Sequence, residues 1–236
     1  MEAASRATQS GRGALKDGGM HRVSIFDNSS GPKKVLVLGA HADDIEIGCG
    51  GTILRLASEF PELDVLWVVF CSTPERAAET RASAAAFLQG AAKTRVVVRN
   101  HRDGYLPYAG ASVKDEFETL KREYNPDVIF THYREDRHQD HRLISDLTWN
   151  TWRDHLILEY EIPKYDGDFG SPNFFVCLPA STLEHKIALI LEHFPSQAQK
   201  HWFTADLLRS VARIRGMECV APEGLAEGFY CRKVSF

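Results

Sequence analysis

The sequence has no long hydrophobic run, no paired cysteine motif and no excess of positive charge. None of its apolar stretches approaches the roughly 20 residues that a membrane-spanning helix needs, and the N-terminus lacks the apolar core of a secretion signal. Its five cysteines are scattered without a C-x-x-C pair, which is typical of a reducing compartment. The formal charge of −4 gives no global attraction for nucleic acid or for an anionic membrane. We therefore expect a cytoplasmic protein that binds neither, and the sequence leaves a homo-oligomer open.

The 236 residues divide into a short polar leader and one long domain. Residues 1–32 are rich in Ser, Gly, Ala and Arg and show neither helical nor strand periodicity, so we predict a flexible leader. Residues 33–236 then form a single predicted domain, and the hydrophobic content of 44% is sufficient for a substantial core.

From Lys33 onward, short apolar runs alternate with helical patterns. Such alternation predicts an α/β fold: a Rossmann-like, mostly parallel sheet flanked by helices. After about Ile157 the pattern loosens, and we predict a loop-rich C-terminal extension that contains two helices and a last strand. The predicted strands are 33–39, 64–70, 94–99, 127–132 and 228–235, and the predicted helices are 50–60, 74–89, 113–125, 180–194 and 204–215.

Ionisable side chains follow two of the predicted strands. His41, Asp43 and Asp44 come directly after the first strand. His132, His138 and His141 lie in the segment "THYREDRHQDHR", which follows "DVIF". Ligands of open parallel sheets bind outside the carboxyl ends of the strands. We therefore expect the two polar segments to meet over one crevice.

Two imidazoles and one carboxylate are a ligand set that catalytic zinc uses, with a fourth position open for water. From the spacing, His41 and Asp44 point to one centre from a tight loop, and His141 joins them from the second segment. Asp43 then stays free to act as a general base. His138 is a candidate for stabilising an oxyanion, Asp140 is a candidate for orienting His138, and His132 is a candidate for a place behind the ligands.

Other interpretations of the same residues remain open. The segment "REDRHQDHR" is compatible with a solvated charge cluster, and adjacent aspartates are also common at helix N-termini. The glycine cluster "GCGG" is compatible with a Rossmann-type nucleotide-binding protein or a methyltransferase. An acidic segment separates it from the strand, however, so it does not lie directly in the strand-to-helix turn. A catalytically silent metal-binding homologue is the third alternative.

The two motifs resemble those of the LmbE-like, or PIG-L, zinc-dependent N-acetylglucosaminyl deacetylases. The segment "AHADDIEIGCGG" is similar to the family's opening A-H-P-D-D motif, with Ala42 where proline is usual, and "HQDH" is similar to its H-x-D-H motif. By motif position the resemblance implies three zinc ligands, a general base and an oxyanion-stabilising histidine. These fall on His41, Asp44 and His141, on Asp43, and on His138.

The resemblance implies a metal-dependent amide hydrolase that removes an acetyl group from an N-acetylated amino sugar or a related small biosynthetic intermediate. Zinc is the expected metal, and another divalent ion such as Fe²⁺ is an alternative. We predict substrate contacts for Arg76, Asp103 and His193. The acidic and aromatic segment 160–166 is a further candidate, as a sugar-binding wall.

Overall fold

The computed structural model describes residues 31–234, so nearly all of the predicted leader lies outside the described residues. Within these residues, seven strands and six α-helices follow one another. They are β1 Lys34–His41, α1 Asp44–Glu59, β2 Asp64–Cys71, α2 Pro74–Phe87, β3 Lys93–His101, α3 Gly110–Glu123, β4 Val128–His132, α4 Gln139–Thr151, β5 Leu156–Tyr160, β6 Phe174–Cys177, α5 Ala180–His193, α6 Ala205–Glu218 and β7 Ala226–Cys231.

The strands form one sheet in the order β3-β2-β1-β4-β5-β7-β6. Strands β1 to β5 pair in parallel, whereas β7 pairs antiparallel with both β5 and β6. Buried apolar side chains cover both faces of the sheet, as expected for a sheet between two helical layers. The predicted α/β class with a mostly parallel sheet is confirmed.

Strand order reverses at β1, and this places the two polar segments side by side. The chain runs from β1 to β2 and β3 on one side, then crosses to β4 on the other side of β1. Parallel strands β1 and β4 therefore end at the same edge, with His41 at the end of one and His132 at the end of the other. Such a switch point is where open α/β sheets bind ligands.

Helix α1 begins at Asp44, six residues before the predicted helix 50–60. The glycines within it lower the helix propensity that sequence reasoning relies on. Packing explains their presence, because a Cβ atom on Gly48 would lie 2.2 Å from the Tyr160 ring and one on Gly50 would lie 2.7 Å from the Phe87 ring. These glycines allow α1 to approach its neighbours closely. They lie within a buried helix and not in a phosphate-binding turn.

The C-terminal extension completes the sheet. Its last strand is Ala226–Cys231, whereas the prediction was 228–235, and β5 and β6 were not predicted from the sequence. The longest loop of the extension runs between β5 and β6, and shorter ones follow α5 and α6. Within residues 31–234, no helix has both the length and the apolar character that crossing a membrane requires.

Candidate metal centre and its cavity

Three predicted ligand atoms form a nearly equilateral triangle at the switch point. His41 Nδ1 lies 3.2 Å from His141 Nε2 and 3.4 Å from Asp44 Oδ2, and His141 Nε2 lies 3.5 Å from Asp44 Oδ2. Ligands about 2.0 to 2.1 Å from a tetrahedral zinc ion are about 3.3 Å apart. The donor set and its spacing therefore fit three positions of such an ion.

Local structure brings the three residues together. Asp44 is the first residue of α1, and its Oδ2 accepts a hydrogen bond from the His41 backbone N–H at 2.7 Å. His141 lies in the first turn of α4, for which His138 is the N-cap. Two helix starts and one strand end thus supply the ligands, where the sequence suggested loops.

Carboxylates fix the outer nitrogens of both imidazoles. Asp136 Oδ2 lies 2.9 Å from His141 Nδ1, so Nδ1–H donates outward and the Nε2 lone pair faces the centre. Around His41, Asp140 Oδ2 and Asp103 Oδ1 lie 3.1 and 3.0 Å from Nε2. Such contacts set the orientation of metal-binding histidines.

The contacts of Asp140 correct one detail of the prediction. Its carboxylate accepts hydrogen bonds from the backbone N–H groups of Gly104 and Leu106 and contacts the ring of His41, not that of His138. Its own backbone N–H donates to His138 Nδ1 at 3.3 Å. Asp140 therefore orients His41 through its side chain and His138 only through its main chain, because its carboxylate points toward β1 from the first turn of α4.

The electrostatics of the triangle favour a cation. Burial lowers the pKa of His141 to about 4, so that this imidazole is neutral near pH 7 and its lone pair is available. Burial alone would raise the pKa of Asp44, yet the facing imidazoles of His141 and His132 lower it well below its usual range. In His41, hydrogen bonds to carboxylates outweigh burial and raise the pKa.

Asp43 lies next to the triangle without belonging to it. Its backbone is in the left-handed region at φ 88°, a strained conformation for a non-glycine residue and one that occurs at functional sites. Burial raises the pKa of Asp43 to about 6, while the Arg76 guanidinium, 3.1 Å from its Oδ1, opposes the rise. A carboxylate with this pKa is mostly ionised at neutral pH and can still accept and return a proton.

His138 has a defined tautomer. Its Nδ1 accepts the Asp140 N–H, so the ring proton of the neutral form resides on Nε2. Burial and the nearby His41 lower the pKa of His138, which keeps the ring neutral near pH 7. The side chain therefore offers one N–H donor beside the triangle, with its ring centroid 4.8 Å from that of His41.

A cavity of about 700 Å³ opens over these residues. Two of the predicted substrate residues, Arg76 and Asp103, line it, whereas His193 at the end of α5 does not. Arg76 contacts Asp43, Glu79 and the Ser196 hydroxyl, so it lies beside the Asp43 carboxylate. Arg76 is therefore positioned to hold Asp43.

Only part of the predicted sugar-binding wall at 160–166 lines the cavity. Lys164, Tyr165 and Asp166 line the cavity. Tyr160 is buried, with its hydroxyl donating to the Leu38 carbonyl oxygen, and Glu161 pairs with Arg215 away from the cavity.

Two further residues support the centre: His132, which the sequence suggested for a place behind the ligands, and Asp136, which sequence reasoning missed. Asp136 contacts His141, and His132 stacks on the His141 ring with centroids 4.0 Å apart. His132 Nε2 also accepts the Ala40 backbone N–H and lies 3.3 Å from Asp44 Oδ2. Asp136 lies in the segment that carries "HQDH", so an acid near a ligand motif was the available signal.

The fold and the triangle together define an α/β protein with a His/Asp cluster at a sheet switch point that could hold a metal ion. Residues 36–152 match the model of the PIG-L family, described as GlcNAc-PI de-N-acetylase, and form a PIG-L family domain. This confirms the resemblance seen in the two motifs. Family membership supports an N-deacetylase, and hence a hydrolase, over a nucleotide-binding protein or a methyltransferase.

Solved structures share the fold over most of the chain. N,N'-diacetylchitobiose deacetylase from Pyrococcus horikoshii is similar with a TM-score of 0.67 and 23% identity, over 85% of this chain and 84% of that one. The conserved protein TT1542 from Thermus thermophilus is similar with a TM-score of 0.68 and 22% identity, over 86% of this chain and 96% of that one. GalB, the 4-carboxy-2-hydroxymuconate hydratase from Pseudomonas putida, is similar with a TM-score of 0.64 and 16% identity, over 86% of this chain and 98% of that one. At these identities the likeness establishes the fold alone.

Proposed function

We propose that the protein is a zinc-dependent hydrolase that removes the acetyl group from an N-acetylated amino sugar or a related small biosynthetic intermediate. The observation that carries this proposal is the triangle of His41, Asp44 and His141, spaced for a tetrahedral ion and open to the cavity, with the Asp43 carboxylate beside it. The family match supports acetamide as the bond cleaved. The proposal includes that the protein acts on small substrates in the cytoplasm.

His41, Asp44 and His141 would hold the metal. A zinc ion in this place supplies Lewis acidity, which acidifies a water molecule and polarises the acetamide carbonyl. Asp43 removes a proton from the attacking water and later returns it to the leaving nitrogen. The His138 Nε2–H donates to the carbonyl oxygen as negative charge develops there. The reaction consumes one water and yields acetate and a free amine.

Arg76 and Asp140 would act through these groups. Arg76 keeps the Asp43 carboxylate in place and offsets part of the cost of burying its charge. Asp140 orients His41, and its backbone N–H fixes the tautomer in which His138 can donate. Asp103 reaches the same nitrogen of His41 from an exposed loop position, and so lies where a bound substrate would meet it.

The test combines metal content with acetate release. We expect about one zinc per chain by elemental analysis, and acetate release from members of a panel of N-acetylated amino sugars that stops on chelation and returns with zinc. Asp43→Asn should retain the metal and lose roughly 10²- to 10⁴-fold in turnover, the usual contribution of a general base. Asp115→Asn, an exposed position on α3, is the matched control and should behave like the parent.

Three results would contradict the proposal. Failure to bind any divalent metal after reconstitution would exclude the triangle as a metal centre. Metal binding without acetate release from the whole panel would point to a different amide or to a silent homologue. Addition of water to an unsaturated acid such as the substrate named for GalB would instead indicate a hydratase on the same fold.

A further inference from the structure

The cavity has two walls of different origin. The inner wall carries the ionisable cluster and comes from the family-matched segment 36–152. The outer wall comes from the C-terminal extension and includes Tyr165, Asp166, Lys200 and Trp202. Residues that contact the part of a substrate away from the acetamide must therefore be sought in the outer wall and at its junction with the loop after β3.

The outer wall presents aromatic surface to solvent. Tyr165 is 71% exposed and stands edge-on to Trp202, with ring centroids 6.5 Å apart. The indole Nε1 of Trp202 has no hydrogen-bond partner in the described part of the chain. Trp202 is half-buried, whereas the exposed Tyr165 ring offers flat apolar area to a ligand at low cost in conformational entropy.

Two cations at the mouth contact aromatic rings. The Arg102 guanidinium lies 3.6 Å from the centroid of the Tyr105 ring, and Lys200 Nζ lies 5.4 Å from the centroid of the Trp202 ring. Among residues 31–234, neither side chain has a carboxylate oxygen within 4.0 Å. The other cations lining the cavity are paired, since Arg76 contacts Asp43 and Lys164 contacts Asp136.

The stacking of Arg102 matters because it restrains a flexible side chain. A guanidinium held flat on a ring keeps its N–H groups available for an oxyanion and loses less entropy on binding one. Lys200 supplies a second positive charge from the outer wall, close enough to Asp43 to lower the pKa of that carboxyl group against the larger effect of burial. Asp166 also lines the outer wall, and within the described residues its carboxylate has no ion-pair partner. It can accept hydrogen bonds from the hydroxyl groups of a sugar.

We propose that Arg102 and Lys200 bind an oxyanion substituent of the substrate, a phosphate or a carboxylate, while the substrate ring lies against Trp202 and Tyr165. The preferred substrate is then an acidic N-acetylated amino sugar and not a neutral one. This inference rests on the proposed deacetylase function for the place of the acetamide, but the oxyanion contact itself is independent of turnover.

Binding of product amines tests the contact without catalysis. Calorimetry on the zinc-loaded protein would compare neutral glucosamine with glucosamine 1-phosphate, glucosamine 6-phosphate and glucosaminuronic acid. We expect at least one acidic amine to bind roughly ten- to a hundredfold more tightly than the neutral one, the range for hydrogen bonds to charged groups. Arg102→Met and Lys200→Met should each remove most of this preference while leaving the affinity for glucosamine unchanged, and added salt should weaken it.

Lys121→Met on the exposed surface of α3 is the matched control and should keep the preference. The three acidic amines distinguish phosphate from carboxylate. Equal or undetectable binding of all four amines, or a preference that survives both variants, would overturn the inference. Acetate release from the corresponding N-acetyl compounds, measured alongside, separates the two proposals. Selective binding without acetate release would contradict the deacetylase alone, and equal release from neutral and acidic compounds with no effect of Arg102→Met would contradict the oxyanion site alone.

Discussion

Asp136 holds His141 in the orientation that a metal needs. Its Oδ2 lies 2.9 Å from His141 Nδ1, and Lys164 Nζ lies 2.9 Å from the same oxygen. Loss of a carboxylate behind a ligating histidine costs about 10- to 100-fold in metal affinity. We expect Asp136→Asn to weaken zinc binding by this factor, measured by competition with a chelating dye.

Asp154→Asn provides the control for that change. Asp154 also contacts a histidine, with its Oδ1 2.8 Å from His155 Nδ1, but on the exposed surface. The control should bind zinc like the parent. An unchanged affinity in Asp136→Asn would mean that His141 is not a ligand or does not depend on its outer hydrogen bond.

Glu46 is a buried acid whose proton the fold retains. The Ser83 hydroxyl donates to one oxygen at 2.7 Å, and the other oxygen has no partner in the described chain. Burial raises the pKa of Glu46 from 4.5 to about 8. The folded protein therefore binds this proton more tightly than the unfolded chain does. It follows that the contribution of Glu46 to the free energy of unfolding is greatest below pH 4.5 and falls as pH rises to about 8.

Glu46→Gln removes this titration. We expect the variant to exceed the parent in free energy of unfolding by roughly 2 to 5 kcal/mol near pH 8.5, with a smaller or reversed difference near pH 5, in urea titrations at both pH values. Glu192→Gln, an exposed position on α5, should show no such dependence. A stability difference that is the same at both pH values would show that Glu46 does not hold its proton in the folded protein.

At the residue scale, sequence spacing was enough to select His41, Asp44 and His141 as residues that meet. The two motifs follow the apolar runs that form β1 and β4. Because these strands are parallel, their ends lie at the same edge of the sheet. The Asp140 contact could not be read in the same way. Whether its carboxylate reaches His41 or His138 depends on the direction in which α4 starts, which no local pattern specifies.

At the scale of elements, close packing of α1 depends on its glycines. A Cβ atom on Gly48 would lie 2.2 Å from the Tyr160 ring, and the Tyr160 hydroxyl donates to the Leu38 carbonyl oxygen next to the centre. Relief of that overlap requires α1 or Tyr160 to move. We expect Gly48→Ala to lower the free energy of unfolding by about 1 to 3 kcal/mol, measured in urea.

Gly110→Ala is the matched control. Apart from its chain neighbours and the backbone of its own helix, no atom of the described residues lies within 4 Å of the place that a Cβ atom on Gly110 would take, and the φ of −51° suits alanine. The control should leave stability unchanged or raise it by about 0.4 to 1 kcal/mol. If Gly48→Ala behaved like Gly110→Ala, the glycines of α1 would have no packing role.

The same helix shows why element boundaries were only partly predictable. The buried strands were found from their apolar runs, yet α1 was placed six residues late because glycines obscured its start. Strands β5 and β6 were missed since their residues, at 156–160 and 174–177, lie in a stretch without clear periodicity. Their pairing with β7 is long-range and antiparallel, which no local pattern reveals.

At the scale of the whole molecule, a buried ion pair ties the C-terminal extension to α1. Glu227 of β7 accepts hydrogen bonds from the backbone N–H groups of Gly51 and Thr52, and Lys186 of α5 lies 2.7 Å from its Oε1. Lys186 also donates to the Ile47 carbonyl oxygen. Charged groups from two distant elements thus satisfy main-chain groups of α1.

Removal of one partner of this pair tests whether residues 33–236 behave as a single domain. Lys186→Met leaves the Glu227 charge buried without its cation, so we expect a loss of about 3 to 5 kcal/mol in the free energy of unfolding. Because the pair joins the extension to the family-matched segment, one shared transition should move, followed by tryptophan fluorescence and circular dichroism. Arg209→Met, which breaks an exposed pair with Glu184, should leave the transition in place. Two separate transitions, with only one displaced by Lys186→Met, would show that the extension folds independently of the sheet that carries the metal centre.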